Sequence, residues 1–197
     1  ERYSPAGVLA PKSKADLAFT MHILSWLAVN GTAAIVEFPG VLYRGGAERK
    51  IRKYLIDNNY VDAVIQLPPD LFFGTTITTC IIVLKKSKTD NAVLFIDAST
   101  EFTRMGNKNK LTDAHQAKIL DAFSTRADTA HFTRLVANEK LAANDYNIAV
   151  SSYVEAEDTR ETVDISALNA EIARIVARQA ELRTQIDAIV ADLEGAE

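Results

Sequence analysis

The clearest hydrophobic pattern in the chain is a pair of near-continuous apolar runs, residues 61–67 and 80–84. Such runs are typical of strands that are buried on both faces of a sheet. The connection between them contains two prolines, two phenylalanines and a glycine, which is too elaborate for a simple hairpin. The pattern predicts two buried strands joined by an unusual segment, residues 68–76, which we call the aromatic loop.

The composition of the aromatic loop suggests two uses for its rings. Pro68 and Pro69 cannot donate ladder hydrogen bonds, and Gly74 permits backbone angles that other residues avoid. Phe72 and Phe73, beside this glycine at the edge of a sheet, can present a ring to a planar ligand such as a nucleic-acid base. The alternative is that both rings cap the hydrophobic core.

Upstream of these strands, the pattern alternates between helix and strand. An amphipathic helix is predicted over residues 14–30, a short buried strand over 32–38, and a second helix over 47–58. This order implies a right-handed crossover, with the strand at 32–38 paired in parallel with the strand at 61–67. Ligands are then expected outside the carboxyl ends of these strands.

The segments after the second apolar run are shorter and more polar. We expect another strand at 92–98, an exposed loop at 99–110, and a helix at 111–124 that is capped by Thr112. The buried side of that helix is predicted to carry Ile119, Leu120 and Phe123. Residues 132–136 and 146–150 are expected to be short strands or extended segments that pack back on the core.

The last part of the chain carries a heptad pattern. An acidic connector, residues 155–164, precedes about four heptads with one polar position in the seam. A seam this narrow predicts a helix that packs between subunits or domains, although packing on its own domain is the alternative. The predicted interface positions are Leu168, Ile172, Ile175, Gln179, Leu182, Ile186 and Ile189.

Charge and composition exclude several classes of protein. A net charge of −4 argues against a protein that binds nucleic acid on its own. The single cysteine, Cys80, has no partner, which fits a reducing cytoplasm, and the three histidines lack the spacing of a metal site. No apolar run approaches the roughly 20 residues that span a bilayer, so we expect a cytoplasmic protein without membrane contact or bound metal.

Several segments together carry a family resemblance. They are KADLAFTMHILSWL, GTAAIVEFPGVLYRGGAERKIRKYLIDNNYVDAVIQLPPDLFFGTTITTCIIVLKK, AVLFIDAS and NDYN, in this order. Residues 14–154 thereby resemble the modification subunit of type I restriction-modification systems. The resemblance implies an adenine methyltransferase that transfers a methyl group from S-adenosylmethionine to the exocyclic amine of a flipped adenine in DNA. It also implies partners, namely DNA, a specificity subunit and a restriction subunit, with two modification subunits in the complex.

Two motifs of that family are absent from the chain. Neither the glycine-containing cofactor motif nor the Asn-Pro-Pro-aromatic motif occurs, so the cofactor motif is expected upstream of Glu1 and the chain alone is expected to be inactive. The resemblance therefore implies an α/β fold, the C-terminal half of a class I, Rossmann-like methyltransferase sheet followed by a coiled-coil-like helix. The expected parts are the half-sheet (1–98), a mixed extension (99–154), the connector (155–164) and the heptad helix (165–195).

The resemblance also assigns tasks to single residues. Phe73 matches the position that stacks on the flipped base, with Phe72 as the fallback and Pro69, Gly74 and Thr75 as neighbours in the target loop. Asp70 is interpreted as a turn residue rather than a catalytic carboxylate.

A basic cluster lies on or near the second helix, which is predicted to leave Glu48, Arg49, Lys50, Arg52 and Lys53 for solvent or a partner. The candidates for contact with DNA phosphates are Arg44, Arg49 and Lys53, with Arg44 nearest the expected ligand edge.

Two other functions are compatible with the pattern. The chain can be an interaction module whose sheet is a scaffold and whose heptad helix docks on a specificity subunit. A dinucleotide-binding domain is the weaker alternative, because no G-x-G-x-x-G follows any predicted strand.

Overall fold

The computed structural model describes residues 2–157 and 164–194, which divide into two units, Glu1–Glu157 and Asp158–Glu197. The described part of the first unit holds the strands and four helices. The described part of the second holds one long helix. No helix among these residues has both the length and the apolar composition that crossing a membrane requires.

Most helices and strands of the first unit lie close to their predicted positions, with ends shifted by a few residues, but the strands Thr103–Met105 and Lys108–Lys110 and the helix Asn138–Ala143 were not predicted. The β2–β3 pair corresponds to the two apolar runs, and 3-10 helices occur at Pro39–Leu42 and Val150–Ser152. The elements in chain order are α1 (Asp16–Trp26), β1 (Thr32–Glu37), α2 (Gly46–Asp57), β2 (Val61–Gln66), β3 (Cys80–Lys85), β4 (Ala92–Asp97), β5 (Thr103–Met105), β6 (Lys108–Lys110), α3 (Asp113–Thr125), β7 (Thr133–Ala137) and α4 (Asn138–Ala143).

Five strands form one sheet in the order β1-β3-β2-β4-β7. The predicted parallel pairing of β1 with β2 is wrong. The two strands run in the same direction, but β3 lies between them and is antiparallel to both. The chain turns back after β2 through the aromatic loop, which brings the apolar β3 into the gap. The one parallel contact in this sheet, among the described residues, joins β2 and β4.

Hydrophobic clusters cover both faces of the sheet. Side chains alternate along each strand, so Val64 and Phe95 face one cluster while Ile65 and Leu94 face the other. Buried residues of α1 and α2 belong to the first cluster, and Ala122 of α3 belongs to the second. This two-sided burial explains the near-continuous apolar runs of β2 and β3.

Strand β1 differs from the prediction of a buried strand, because every second residue faces solvent. Val36 is 50% exposed and Ile35 is only partly buried. The reason is that β1 is an edge strand: within the described residues, it pairs with β3 on one side and has no neighbouring strand on the other.

Three further expectations need correction. Residues 99–110 are not simply a loop, since they contain the antiparallel β5–β6 hairpin. Leu120 is 64% exposed, because the buried side of α3 runs through Ala122 with Ile119 and Phe123 packed beside it. Residues 146–150 pack on the core as predicted, but they form neither a strand nor a continuous extended segment, because Tyr146 lies in a turn with a φ of 56° and Val150 begins a 3-10 helix. The Thr112 cap is confirmed, and the His115 side chain completes a capping box.

The basic face predicted for α2 is only partly exposed. Glu48 and Arg52 are each only 2% exposed, although neighbouring Lys50 is exposed. The Arg52 guanidinium donates from Nε to the carbonyl of Tyr146 at 2.8 Å and from Nη1 to the carbonyl of Val41 at 2.9 Å. Burial lowers the pKa of Arg52 to about 10, with partial compensation from Glu48. Arg52 therefore connects α2 to two distant segments and does not face solvent.

In the second unit, α5 runs over Ile165–Glu194 and corresponds to the predicted heptad helix. The Asp164 carboxylate accepts hydrogen bonds from the backbone N–H groups of Ser166 at 2.9 Å and Ala167 at 3.1 Å, which caps the helix start. Most of the predicted acidic connector, residues 158–163, lies outside the described residues.

Candidate functional site

The segments that follow β1, β2 and β4 meet at one edge of the sheet, at the carboxyl ends of these strands. Glu37 at the end of β1 and Gln66 at the end of β2 both pair with Cys80 at the start of β3, and Gln66 also pairs with Asp97 at the end of β4. The chain leaves β1, β2 and β4 from this same edge, because these strands share one direction. Segments that are remote in sequence therefore meet there.

The aromatic loop leaves this edge after Leu67, whose N–H donates to the carbonyl of Thr79 at 2.9 Å and extends the β2–β3 ladder. Leu71 is the loop residue that packs against the second hydrophobic cluster. Phe72 is 41% exposed, and Phe73 is fully exposed at 101%. The alternative that both rings cap the core is therefore wrong, and the loop presents Phe73 to solvent.

Two residues give the loop its shape. Asp70 and Gly74 have positive φ angles of 57° and 78°. Gly74 adopts this conformation without strain because it has no Cβ. The carboxylate of Asp70 accepts a hydrogen bond from Arg104 Nη1 at 3.1 Å, so it is engaged within the protein. The Thr75 hydroxyl accepts a hydrogen bond from the Ile77 N–H at 3.2 Å and thereby serves the backbone of the loop.

The aromatic loop is contacted by residues of the β5–β6 hairpin that the sequence pattern does not single out. Arg104, Lys108 and Asn109 all hydrogen-bond to atoms of residues 69–75. Their pattern, RMGNKNK, reads as an exposed polar loop. Only the parallel β2–β4 pairing, which sends both segments out of the same edge, indicates that they meet.

The three candidate phosphate-binding residues all have partners inside the chain. Arg44 lies over the ring of Phe38, 5.0 Å from its centroid, and pairs with Glu48 at 3.4 Å. Arg49 donates from Nε to Asp145 at 2.5 Å, and Lys53 donates to the Tyr146 hydroxyl at 2.8 Å. Their contact with DNA stays a prediction. Lys53 also pairs with the Asp57 carboxylate at 2.5 Å, and the carboxylates of Asp145 and Asp57 reduce the charge that Arg49 and Lys53 offer to a ligand.

The carboxylates at the sheet edge are also engaged. Glu37, only 6% exposed, accepts a hydrogen bond from the Thr20 hydroxyl at 2.7 Å, and burial raises the pKa of its carboxyl. Asp97 accepts a hydrogen bond from the Ser99 N–H at 3.0 Å. In nucleotide sites a carboxylate often binds the ribose hydroxyls. Each of the three acids at this edge, Glu37, Asp70 and Asp97, accepts at least one hydrogen bond within the chain.

The predicted interface positions of α5 are exposed. The apolar members of the seam are between 43% and 59% exposed, from Leu182 to Ile186 and Ile189, and Gln179 is exposed among them. A row of isoleucine and leucine side chains on one helix is a surface that another helix can cover.

Comparison with known proteins gives the family. A family model described as N-6 DNA Methylase matches residues 1–162. The MpnII methylase subunit of a type I restriction enzyme from Mycoplasma pneumoniae is 47% identical over 98% of this chain and 36% of its own length. The MjaVII methylase subunit from Methanocaldococcus jannaschii is 32% identical over 96% of this chain and 33% of its own length.

Solved structures agree with these relatives. The methyltransferase subunit of a type I restriction-modification system from Streptococcus thermophilus is 48% identical, with a TM-score of 0.77 over 78% of this chain and 33% of that one. The M protein of the type I enzyme EcoKI shares the fold at 19% identity, with a TM-score of 0.60 over 89% of this chain and 45% of that one. The chain spans about a third of the length of the curated relatives named above. The resemblance to type I modification subunits is confirmed, and the chain belongs to the N-6 DNA methylase family.

Proposed function

We propose that this chain forms part of a DNA adenine methyltransferase and supplies the surface that stacks on the target base. Within a type I modification subunit, the methyl group would pass from S-adenosylmethionine to the exocyclic amine of adenine. The observation that carries the proposal is the ring of Phe73, which is fully exposed at the edge of the sheet where ligands of α/β proteins bind.

The chemistry explains why such a ring is needed. An adenine amine inside a duplex is out of reach, so the base must be rotated out of the stack at a cost of a few kcal/mol. An aromatic ring that stacks on the extruded base offsets about 1–3 kcal/mol of that cost. Phe73 is suited to this task because its ring is fully exposed and is not packed in the core of this chain. Phe72, which is 41% exposed, is the fallback.

The described residues do not fit a complete site for S-adenosylmethionine. The carboxylates at the sheet edge are hydrogen-bonded within the chain. The segment after β1 forms a 3-10 helix in which Gly40 packs against the Arg44 side chain, so no glycine turn follows the strand directly, and the open Gly45 and Gly46 come at the start of α2 instead. We therefore assign cofactor binding to other parts of the full-length subunit and expect this chain alone to be inactive.

Among the basic residues, Arg44 is the best candidate for a phosphate contact. Its side chain lies over Phe38, directly after β1 at the ligand edge, and its pair with Glu48 is long at 3.4 Å, whereas Arg49 is held by Asp145 and Lys53 by Asp57 and Tyr146. A guanidinium that lies over an aromatic ring keeps donors free at its rim for an anion.

The test replaces Phe73 by alanine in the full-length subunit, assembled with its specificity subunit on duplex DNA that carries the target site. Loss of one stacking contact should slow single-turnover methyl transfer by about 5- to 150-fold. Ile77→Ala is the matched control, since Ile77 is an apolar, 50% exposed residue at the end of the same connection. Unchanged turnover in Phe73→Ala would remove the ring from the mechanism.

A second function, docking of the subunit through α5, is supported by the exposed seam. We propose that the seam packs on a helix of a specificity subunit. Replacing Ile175 by aspartate should abolish co-purification of the two subunits, because it places a charge in an apolar interface. The control is Ala177→Asp, which adds the same charge to the opposite side of α5. Equal assembly of both variants would count against docking through the seam.

A further inference from the structure

The β5–β6 hairpin and the aromatic loop are brought together by the topology of the sheet. Strands β2 and β4 pair in parallel, from Ala63 with Leu94 to Gln66 with Asp97. The aromatic loop follows β2 and the hairpin follows β4, so both segments leave the same edge of the sheet from neighbouring strands. This adjacency places residues about 35 positions apart in sequence in direct contact.

Lys108 holds the part of the loop that carries Phe73. Its ammonium donates to the carbonyl of Phe72 at 3.0 Å and to the carbonyl of Thr75 at 2.9 Å. These two carbonyls flank Phe73 and Gly74 in the sequence. A single ammonium group therefore bridges the two ends of the turn that carries the exposed ring. It also donates hydrogen bonds to two backbone carbonyls that have no partner in a strand ladder.

Asn109 holds the beginning of the loop. It is 6% exposed, and its side-chain amide donates to the carbonyl of Pro69 at 2.8 Å while its backbone N–H donates to the carbonyl of Asp70 at 3.1 Å. Arg104 Nη1 joins the two segments by donating to the Asn109 side-chain oxygen and to the Asp70 carboxylate, both at 3.1 Å. These contacts hold Asp70 in its left-handed conformation, which costs energy for a residue with a side chain.

These contacts do not bury the ring of Phe73 in this chain, since it stays fully exposed. What the contacts provide is a defined position for the backbone on both sides of the ring. A flexible loop would have to be ordered each time it bound a base, and ordering reduces the binding energy that remains for the transition state.

We infer that the β5–β6 hairpin is a positioning element, in which Lys108 and Asn109 hold the aromatic loop so that Phe73 meets the extruded base. This inference rests on the proposed function, because it assigns the hairpin a task in the same reaction. Lys108 and Asn109 act through Phe73 and are positioning residues, not catalytic ones.

The test uses the full-length subunit in complex with its specificity subunit and target DNA. Lys108→Met and Asn109→Ala should each slow single-turnover methyl transfer by about tenfold, as expected for the loss of a charge-assisted or buried hydrogen bond. Lys108→Arg, which keeps a charged donor, should recover part of the rate. Lys110→Met is the matched control, since it removes the same charge from an exposed position of the hairpin. An equal loss in Lys110→Met would overturn the inference, because the hairpin would then act through its charge.

Two further measurements separate positioning from general stability. Amide hydrogen exchange over residues 70–77 should become faster in Lys108→Met and Asn109→Ala than in the parent and in Lys110→Met. Combining Lys108→Met with Phe73→Ala should slow methyl transfer no more than Phe73→Ala alone, because one residue acts through the other. Additive losses, or unchanged exchange in both variants, would overturn the inference.

The two proposals fail in different ways. Full turnover in Phe73→Ala would refute the stacking role. Unchanged exchange in the Lys108 and Asn109 variants would refute the hairpin as the element that holds the loop, whatever Phe73 does.

Discussion

The buried guanidinium of Arg52 offers the sharpest test of how this fold is held together. Arg52 and Arg49 lie one turn apart on α2, and both contact the segment around Asp145 and Tyr146. Arg52 is 2% exposed and serves two backbone carbonyls, whereas the side chain of Arg49 is 38% exposed and pairs with an Asp145 side chain that is 73% exposed. We predict that Arg52→Met is strongly destabilising and that Arg49→Met is not.

The magnitude follows from the two environments. Each hydrogen bond from a charged donor contributes roughly 1.5–3 kcal/mol net of desolvation, so loss of both bonds of Arg52 should cost about 3–6 kcal/mol. Methionine fills most of the space but leaves the carbonyls of Val41 and Tyr146 without this donor. It also removes a positive charge that lies near the buried carboxylate of Glu48. The exposed ion pair of Arg49 with Asp145 should contribute little to stability, because solvent screens it.

Urea denaturation followed by circular dichroism measures the difference. With a slope of about 2 kcal/mol per molar urea, Arg52→Met should lower the midpoint by about 1.5 M or more, whereas Arg49→Met should leave it close to that of the parent. Arg52→Lys should lie between them, because one ammonium replaces a planar fork that reaches two acceptors. Equal midpoints for Arg52→Met and Arg49→Met would refute the reasoning that burial decides the contribution of these arginines.

Two more predictions concern buried groups of the sheet. Burial raises the pKa of the Cys80 thiol to about 12, so a thiol reagent at pH 8 should label the native protein far more slowly than the urea-unfolded one; rapid native labelling would contradict this burial. Burial also raises the pKa of Glu37, so the folded state holds that proton more tightly than the unfolded state, and the cost of ionising the carboxyl appears as pH rises through the folded pKa. Glu37→Gln, whose side-chain oxygen still accepts from Thr20, should therefore raise the melting temperature at pH 7 relative to the parent and lose that advantage near pH 4. An advantage that does not depend on pH would contradict a charge effect.

Local patterns predicted most of the helices and strands, because the spacing of apolar residues indicates which faces of a segment are buried. The two apolar runs became β2 and β3, and the capping residue Thr112 precedes α3. The same patterns could not predict that β3 separates β1 from β2, since two buried strands of similar composition fit several orders in a sheet. They also placed Leu120 on the wrong side of α3. Neighbouring residues of a helix point about 100° apart, so Leu120 faces solvent although Ile119 next to it packs on the second cluster.

For the candidate site, the sequence pointed to the aromatic loop and to Phe73, because prolines, paired aromatics and a glycine between apolar runs are visible locally. It did not point to Lys108 or Asn109, whose partners lie 36 and 40 residues away. Nor did it distinguish Arg52 from Arg49, because two cations on one helix look alike until the fold covers one of them.

By itself, the sequence determined the family, most of the helices and strands, and the segment in which a base-stacking ring is expected. These properties depend on residues close together in the chain or on motifs in a fixed order. The tertiary structure alone decided which strands are neighbours, which charges are buried and which hairpin supports the aromatic loop. The physical reason is that these properties depend on contacts between residues that are distant in the chain, such as Lys108 with Phe72, 36 positions apart, and Arg52 with Tyr146, 94 positions apart.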